Sequence, residues 1–515
     1  MKIMAVILIG ALLTGCMVGP KYTPPAVPPP PAFKEALPSA YNGALPGAWQ
    51  PASPQDAALK GKWWEMFHEP ELNALEEQLN IDNQNIAQYF QNFMAARSLV
   101  GEARAGLFPT VTANPSIGRT GTAASTSNSK STNTSGSTTT SGTTTTSSAS
   151  SSIGGTSISL PIDASWEPDL WGRVRNGIRQ AQYSAQVSAA DLENERLTEQ
   201  ASLAEFYFEL RGQDALQDVG NRVVQAEQTT LDITRALVET GIYPPAAAAQ
   251  AEVSLADAQA SNIGLATSRA LYEHAIATLI GKPASGFSLP ERSLATALPP
   301  IPVGLPSELL QRRPDVAAAE RNMAAANAEI GVEQAAFYPT VSLTGGAGLE
   351  GSSLKTLFSL PGLFWSLGAS ATQVLFDAGL RKATVAQYTA QYNADVAVYK
   401  QAILTAFQQV EDYIATLRVV SQQIDRQATA VKAAQTYLDL ETSRYDTGID
   451  PYLDVVSAQL SVLSGQQTVV TLRVNEMTSA VALIQALGGG WNASQLPAPA
   501  SIATDGAVKQ VKDTP

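Results

Sequence analysis

The sequence predicts an α+β membrane protein in which four strands per chain join a transmembrane β-barrel that continues into a long α-helical barrel. Three observations predict this fold class. Two very long segments have the period of a helix, two short segments have the period of a strand, and the chain repeats itself internally. Charged residues make up only 15% of the 515 residues, against roughly 25% in a typical globular protein.

The composition excludes several other classes of protein. A net charge of −13 has the wrong sign for a protein that binds a phosphate backbone, so no nucleic acid is expected as a partner. One Cys and two His cannot build a disulfide framework or a Cys/His zinc cluster. Neither His68 nor His274 has a Ser or Cys nucleophile nearby in the sequence. We therefore expect no catalytic site, no metal and no cofactor beyond a covalent lipid.

The first sixteen residues predict an export signal. Lys2 precedes the apolar segment 3–13, which is too short to span a bilayer because that takes about 20 residues. The segment ends in Leu-Thr-Gly-Cys, which resembles a bacterial lipobox with the only cysteine, Cys16, at the lipidation position. Acylation of Cys16 is expected, and a cysteine buried by chance is the alternative. The proline-rich segment 24–31 predicts a stiff spacer after the anchor.

The chain contains two copies of one unit. Leu-Phe-Pro-Thr-Val at 107–111 recurs as Phe-Tyr-Pro-Thr-Val at 337–341. Glu-Thr-Gly-Ile at 239–242 recurs as Asp-Thr-Gly-Ile at 446–449, with a shorter offset. The difference between the offsets matches the Ser/Thr tract at 119–152, which the second copy lacks. Self-similarity of this length indicates a duplicated structural unit with one loop insertion.

Each copy contains a very long helix and a shorter one, joined by a turn. Between 380 and 446 apolar residues recur about every 3.6 positions and no proline interrupts. At 1.5 Å per residue this helix would be about 100 Å long, so no globular core could cover it. Such helices are expected to pack side by side in a coiled-coil-like wall. The shorter helices, 71–105 and 246–280, would match this length if they were stacked end to end.

Two segments have the period of a strand instead. From 157 to 167, and again from 340 to 349, apolar and polar residues alternate. Such alternation over about ten residues is typical of transmembrane barrels, and a half-buried soluble sheet is the alternative. The export signal and the Ser/Thr tract, which interrupts a hairpin and cannot pack, favour the barrel. Trp166, Trp171 and Trp365 at the strand ends fit an interfacial aromatic belt, although packing explains each nearly as well.

Three motifs resemble the TolC-like outer-membrane factors, specifically their lipoprotein branch. Lys-Trp-Trp-Glu-Met-Phe at 62–67 resembles their entry motif, and Trp-Glu-Pro-Asp-Leu-Trp-Gly-Arg at 166–173 resembles their strand-to-helix junction. Leu-Pro-Ser-Glu-Leu-Leu-Gln-Arg-Arg-Pro-Asp-Val at 305–316 resembles the signature between their repeats. The motifs follow the family's order along nearly the whole mature chain.

Four strands cannot close a barrel, because the smallest has about eight, so an oligomer is expected. The resemblance implies a homotrimer with a 12-stranded transmembrane β-barrel continuous with a long periplasmic α-helical barrel. It implies an outer-membrane channel-tunnel, lipid-anchored and extending into the periplasm, that is the passive exit duct of a tripartite efflux pump for small molecules such as drugs. The implied partners are a periplasmic adaptor (membrane fusion) protein, an inner-membrane RND-type pump and outer-membrane lipid.

The turns between the long and the shorter helices are candidate docking sites. Each contains a glycine suited to end a helix. The resemblance implies that the adaptor docks at these turns, six of them in a trimer. The residues concerned are Thr240, Gly241, Ile242, Thr447, Gly448 and Ile449.

The second turn is also the candidate periplasmic gate. Asp450 and Pro451 are expected to be the N-cap and first residue of the next helix. The resemblance implies that Asp454 projects into the tunnel mouth as a threefold acidic ring, and that Tyr445 and Asp450 belong to the gate. Ala247 holds the matching place in the first copy, so the ring would have three carboxylates.

Two alternatives remain open at this point. One is the exit duct of a type I-like peptide or protein secretion system, which genomic neighbours would distinguish. The other belongs to a different class: a non-conducting, periplasm-spanning structural lipoprotein.

The predicted organisation is a signal peptide at 1–15; a lipid anchor, spacer and equatorial segment at 16–70; repeat 1 at 71–290, with strands about 107–118 and 153–167 and helices 173–239 and 246–280; an equatorial linker at 291–314; repeat 2 at 315–495, with strands about 338–349 and 364–376 and helices 380–446 and 453–487; and a tail at 496–515.

Overall fold

A computed structural model of the protein describes residues 17–26, 28–35, 61–119, 156–292, 294, 298–301 and 311–502. The predicted signal peptide and lipidation of Cys16, the Ser/Thr tract from residue 120, residues 305–310 of the inter-repeat motif and the tail after 502 lie outside the described residues. The chain divides into two units. The first comprises residues 1–20, 102–178 and 330–386, and the second comprises 21–101, 179–329 and 387–515.

Helices make up most of the described chain. They are α1 Pro70–Asp82, α2 Gln84–Ala105, α3 Arg173–Glu239, α4 Pro245–Leu279, α5 Pro314–Ala335, α6 Leu354–Leu357, α7 Leu380–Asp446, α8 Tyr452–Ala486 and α9 Pro499–Ile502. Short 3₁₀ helices occupy Trp63–Phe67, Ala284–Gly286, Leu360–Gly362 and Ala493–Gln495. Helices α3 and α7 each have 67 residues, and α4 and α8 each have 35. No helix in the described ranges combines the length and the hydropathy needed to cross a membrane.

The single helix expected at 71–105 is divided at Asn83, so that expectation is corrected. Asn83 has an extended backbone, with φ −65° and ψ 125°. Its Oδ1 accepts a hydrogen bond from the amide of Ile86 at 2.9 Å, as an N-cap of α2 does. Its Nδ2 donates to the carbonyl oxygen of Leu279 at 2.9 Å. The side chain therefore joins the start of α2 to the end of α4.

The corresponding junction in the second copy uses an arginine. Arg313 Nη1 donates to the carbonyl oxygen of Ala486, the last residue of α8, at 3.0 Å. Its Nε and Nη2 contact the carboxylate of Asp315 at 3.0 and 2.7 Å. The start of α5 therefore meets the end of α8, as α2 meets α4.

Both junctions require a glycine. A Cβ atom at Gly281 would lie 2.5 Å from the carbonyl oxygen of Asp82, and one at Gly488 would lie 2.1 Å from that of Arg312. Both glycines also have positive φ, +69° and +92°. Only glycine allows this close approach and this backbone conformation together.

The core of the second unit forms around the 3₁₀ helix Trp63–Phe67. The rings of Phe67 and Phe208 lie 4.9 Å apart, and those of Trp63 and Phe67 lie 6.4 Å apart. Trp63 Nε1 donates to Gln200 Oε1 at 3.3 Å, so the buried indole is satisfied. Burying a large apolar side chain of this kind contributes about 1.5–3 kcal/mol. The motif at 62–67 therefore anchors the chain against α3.

A cluster of buried ions ties three helices together in the same unit. Asp214 accepts hydrogen bonds from Arg211 Nη1 at 2.9 Å and from Arg269 Nε at 2.7 Å. Arg211 also pairs with Glu71 of α1, and Arg269 donates to the carbonyl oxygen of Leu289 at 2.7 Å. The side chains of Arg211 and Asp214 are only 3% exposed. Each of these two buried charges also has an oppositely charged partner on another helix: Asp214 pairs with Arg269 of α4, and Arg211 pairs with Glu71 of α1.

Glu76 is a buried carboxyl group of a different kind. It shares the buried face of α1 with Leu72, Leu75 and Leu79 and is 0% exposed. Neither carboxyl oxygen has a hydrogen-bond partner among the described residues. Burial raises the pKa of this carboxyl well above its usual range, so the folded protein favours the neutral form.

The first unit contains one antiparallel sheet. Its strands are β1 Thr110–Ala113, β2 Ser116–Arg119, β3 Thr156–Trp166, β4 Thr340–Gly351 and β5 Leu363–Thr372. β1 and β2 both pair with β3, and β4 and β5 follow across the sheet.

The strand expected at 107–118 is therefore divided, which corrects the prediction of one continuous strand. Asn114 and Pro115 interrupt it, because proline has no N–H to donate to the ladder. A short turn of helix, α6, lies between β4 and β5, and the sequence did not predict it. Its N-cap Ser353 and Thr356 form a capping box.

Candidate functional site

The two candidate tips have the same backbone geometry. Gly241 and Gly448 end their helices with φ +77° and +76°. Ile242 N donates to the carbonyl oxygen of Leu237, and Ile449 N to that of Arg444, both at 2.9 Å. With the glycine amides bonded at 3.0 and 2.8 Å, each turn is a Schellman motif. The recurring Thr-Gly-Ile sequence therefore forms one turn type twice.

Both tips present an apolar residue to solvent. Ile242 is 65% exposed and Ile449 is 67% exposed. The hydroxyls of Thr240 and Thr447 donate to carbonyl oxygens of their own helices at 3.0 Å. The threonines therefore strengthen the turns, and the isoleucines remain as the surface that a partner could contact.

The second tip contains an ion pair across its turn. Arg444, in the last turn of α7, pairs with Asp450, with Nη2 to Oδ1 at 3.0 Å. The Arg444 guanidinium lowers the pKa of the Asp450 carboxyl below its usual value. The expectation that Asp450 caps α8 is wrong, because Pro451 is the N-cap and α8 begins at Tyr452.

An acidic and aromatic cluster surrounds this ion pair. Tyr445 and Tyr452 form an edge-to-face pair with ring centroids 5.0 Å apart. The pKa of Tyr437 is raised, first by the negative charge of Glu441 and further by burial and by Asp454 and Asp450. The fold therefore brings the three predicted gate residues, Tyr445, Asp450 and Asp454, to one tip.

Sequence reasoning missed three members of this cluster. They are Tyr437, Glu441 and Arg444. Their spacing of three and four residues places them on one face of α7, and this was the available signal. Asp454 itself is exposed in the first turn of α8.

The first tip lacks these charges. Pro244 is the N-cap of α4, as Pro451 is for α8, and Tyr243 and Ala247 stand where the second tip has Asp450 and Asp454. Near this tip an ion pair joins Arg235 and Glu252 at 3.7 Å, and both side chains are largely exposed. An exposed pair of this kind contributes little to stability.

The sheet has one apolar and one polar face. Because side chains alternate along a strand, paired residues share a face across the sheet. The apolar face carries Val111, Ala113, Ile117, Ile158, Leu160, Ile162, Ala164, Trp166, Val341, Leu343, Ala347, Leu349, Leu363, Trp365, Leu367, Ala369 and Ala371. The other face is mostly Ser, Thr, Gly and acidic residues. This arrangement suits contact with lipid on one side and with water on the other.

The three predicted belt tryptophans differ in their surroundings. Trp171 stacks on Tyr338 with centroids 4.7 Å apart, and its Nε1 donates to the carbonyl oxygen of Pro339 at 2.8 Å. Trp166 Nε1 donates to the carbonyl oxygen of Leu107 at 3.0 Å. Trp365 is exposed on the apolar face. Packing therefore accounts for Trp171, whereas Trp365 remains available to an interface.

No group of three or more His, Cys, Asp or Glu residues within the described ranges could hold a metal ion.

Comparisons with known proteins agree with these features. A family model described as outer membrane efflux protein matches residues 75–282 and 305–489. The antibiotic efflux pump outer membrane protein ArpC of Pseudomonas putida is 30% identical over 483 residues, which cover 93% of this chain and 94% of that protein.

Two solved structures extend the likeness to the fold. The outer-membrane channel OprN matches with a TM-score of 0.77 at 26% identity, over 92% of this chain and 100% of that one. The open state of the MtrE outer membrane channel of Neisseria gonorrhoeae matches with a TM-score of 0.75 at 26% identity, over 93% and 99%. The resemblance indicated by the three sequence motifs is thus confirmed: the chain belongs to the outer membrane efflux protein family, and it acts in efflux at the outer membrane.

Proposed function

We propose that three copies of this chain form the passive exit duct of a tripartite efflux pump, which carries small molecules such as drugs across the outer membrane. The main support for the proposal is the sheet, which has one apolar face, one polar face and an unpaired strand edge on either side. β1 and β2 form one edge and β5 forms the other, and the described residues contain no further strand beyond either. Unpaired strand edges bind other strands readily, so the edges favour association with further copies.

The strand number supports a trimer. Three chains would supply twelve strands if β1 and β2 count as one interrupted strand, which exceeds the minimum of about eight for a closed barrel. The apolar face would then contact lipid, and the polar face would line a water-filled lumen. The duplicated helices of each chain would form the periplasmic tube, which their equal lengths support.

The helical tips would form the periplasmic mouth, where the adaptor opens the duct. Asp454 is exposed and would form a ring of three carboxylates under threefold symmetry. Tyr445 and Asp450 would hold the closed mouth through the aromatic pair and the Arg444 ion pair. The exposed Ile242 and Ile449 would contact the adaptor at six tips.

The anchor and the partners complete the proposal. An acylated Cys16 would hold the chain at the membrane, and several acyl chains would be needed because one chain binds only marginally. An inner-membrane RND-type pump would supply the energy, working with a periplasmic adaptor. The relative ArpC bears the name of an antibiotic efflux protein, which favours drug-like cargo.

Conductance of the purified oligomer in a planar bilayer tests this function. The wild-type protein should give discrete steps that prefer cations, and Asp454→Ala should enlarge the steps and weaken the preference. Ser457→Ala, at an exposed position on the same helix, is the matched control and should behave as wild type. Silence from all three proteins, with trimer insertion established, would contradict the duct and favour the non-conducting lipoprotein.

A further inference from the structure

The polar face of the sheet carries charge of only one sign. The described strands contain three charged residues: Arg119, Asp163 and Glu350. Arg119 ends β2 on the same face as Ile117, which is the apolar face. Asp163 and Glu350 both belong to the polar face. The wall that would line the lumen therefore presents two carboxylates per chain and no compensating cation within the described strands.

Asp163 lies in a row of small residues. The register pairs it with Thr112 on β1 and with Gly346 on β4, and Gly346 pairs in turn with Ser366 on β5. Its side chain is exposed. The carboxylate is thus the longest side chain at its level of the wall.

Gly346 has no side chain, and the side chains of Asp163 and Ser366 occupy the space above it. A Cβ atom at Gly346 would lie 2.9 Å from Asp163 Oδ1 and 3.0 Å from Ser366 Oγ. The carboxylate and the hydroxyl therefore approach the same glycine from opposite sides. A probe placed at Ser366 would report the electrostatic potential next to Asp163.

We propose that Asp163 makes the sheet a second cation-selecting section of the duct, in addition to Asp454. The inference rests on the proposed function, because only a closed barrel would bring three copies of this wall around one lumen. An exposed carboxylate attracts cations and repels anions over about one Debye length, which is roughly 10 Å at 0.1 M salt and 30 Å at 0.01 M. Cationic small molecules would therefore be enriched at this level of the lumen, and anionic ones would be depleted.

Thiol modification at Ser366→Cys tests the proposal. Cationic and anionic methanethiosulfonate reagents of equal size are applied to the trimer in lipid at about 0.01 M salt, where screening is weak. The cationic reagent should react several-fold faster than the anionic one, and adding Asp163→Asn should reduce this ratio. The ratio should also fall at 1 M salt. The parent chain without the new thiol controls for Cys16.

Two further variants distinguish a failure of the inference from a failure of the proposed function. Glu350→Gln, about 13 Å away along the strands by the usual rise per residue, should lower the ratio less than Asp163→Asn. Leu367→Cys lies on the apolar face and should react slowly with both reagents. If Ser366→Cys reacts but Asp163→Asn leaves the ratio unchanged, the inference is wrong and the duct survives. If Ser366→Cys is as unreactive as Leu367→Cys, the polar face lines no water-filled lumen, and the proposed function fails together with the inference.

Discussion

The two helical tips share one backbone conformation but differ in the charged residues around it. Gly241 and Gly448 differ by one degree in φ, and both turns form the same two Schellman hydrogen bonds. The second tip nevertheless gathers Arg444, Asp450 and Asp454, where the first has Leu237, Tyr243 and Ala247. The Thr-Gly-Ile turn therefore sets the backbone, and residues up to five positions away on either side set the charge.

This difference suggests that the tips of the two repeats have different roles. In the proposed trimer, three tips with the Arg444, Asp450 and Asp454 cluster would alternate around the mouth with three tips that lack it. The tips without the cluster would serve mainly as apolar contact surfaces, and the tips with it would control closure and ion preference.

Replacing Arg444 with leucine should have the largest effect, because it gives the second tip the residue of the first. Asp450 would lose its partner, and the carboxylates of Glu441, Asp450 and Asp454 would then repel one another. We expect the resting conductance in planar bilayers to rise several-fold. Arg235→Leu at the first tip is the matched control. Equal conductance in both variants would show that the ion pair does not hold the mouth closed.

The reverse change should have a smaller effect. Ala247→Asp would give the first tip the carboxylate of the second and would extend the ring from three groups to six. The cation preference, measured as the reversal potential in a salt gradient, should increase, whereas Asp454→Asn should decrease it. A shift of the same sign in both variants would contradict the matching of these two positions.

Glu76 differs from the carboxylates of the tip because it is fully buried. The raised pKa of Glu76 means that the unfolded chain ionises first, so stability is lost as pH rises above the unfolded value of 4.5. Glu76→Gln removes this loss and should raise Tm by a few degrees at pH 8, with the difference vanishing near pH 4. Glu77→Gln, an exposed neighbour, is the control. A constant difference at all pH values would rule out ionisation as the cause.

The half-buried Asp450 responds to pH in the opposite direction. Its pKa is lowered by Arg444, so the stabilising pair is complete above the unfolded value of 3.8 and is lost only as pH falls below it. The closed-state conductance should therefore stay constant between pH 8 and pH 5. A change within this interval would show that another group titrates at the mouth.

The smallest difference is expected for the glycines themselves. Gly241→Ala and Gly448→Ala each place a side chain at positive φ, which costs about 1 kcal/mol. Neither site has an atom near the added Cβ, so the cost should be equal at the two tips. Amide hydrogen exchange in the last turns of α3 and α7 would measure it. Unequal protection would show that the charged cluster supports its turn.

Several elements of the fold follow directly from local sequence patterns. The two long helices, α3 and α7, run Arg173–Glu239 and Leu380–Asp446. These are the ranges expected from the periodicity and the absence of proline. The strand pattern at 157–167 likewise matches β3. These elements were accessible because each depends on a period within one continuous segment.

Two of the errors, at Asn83 and at Asp450, lie where separate helices meet. Asn83 interrupts a helix because its side chain also binds the end of α4, almost 200 residues later. Asp450 does not cap α8, because Arg444 of the preceding helix takes its carboxylate. Local rules for caps could not include these partners.

The sequence by itself determined the periods, the duplicated turns and the alternation that divides the sheet into two faces. These depend on the chain's own geometry, in which residues three, four or two positions apart share a side. Only the tertiary structure decided which charges meet: Arg444 with Asp450, Arg211 with Asp214 and Glu71, and Asp163 with the space over Gly346. Electrostatic pairing depends on distance in space, and the packing of separate helices and strands sets that distance.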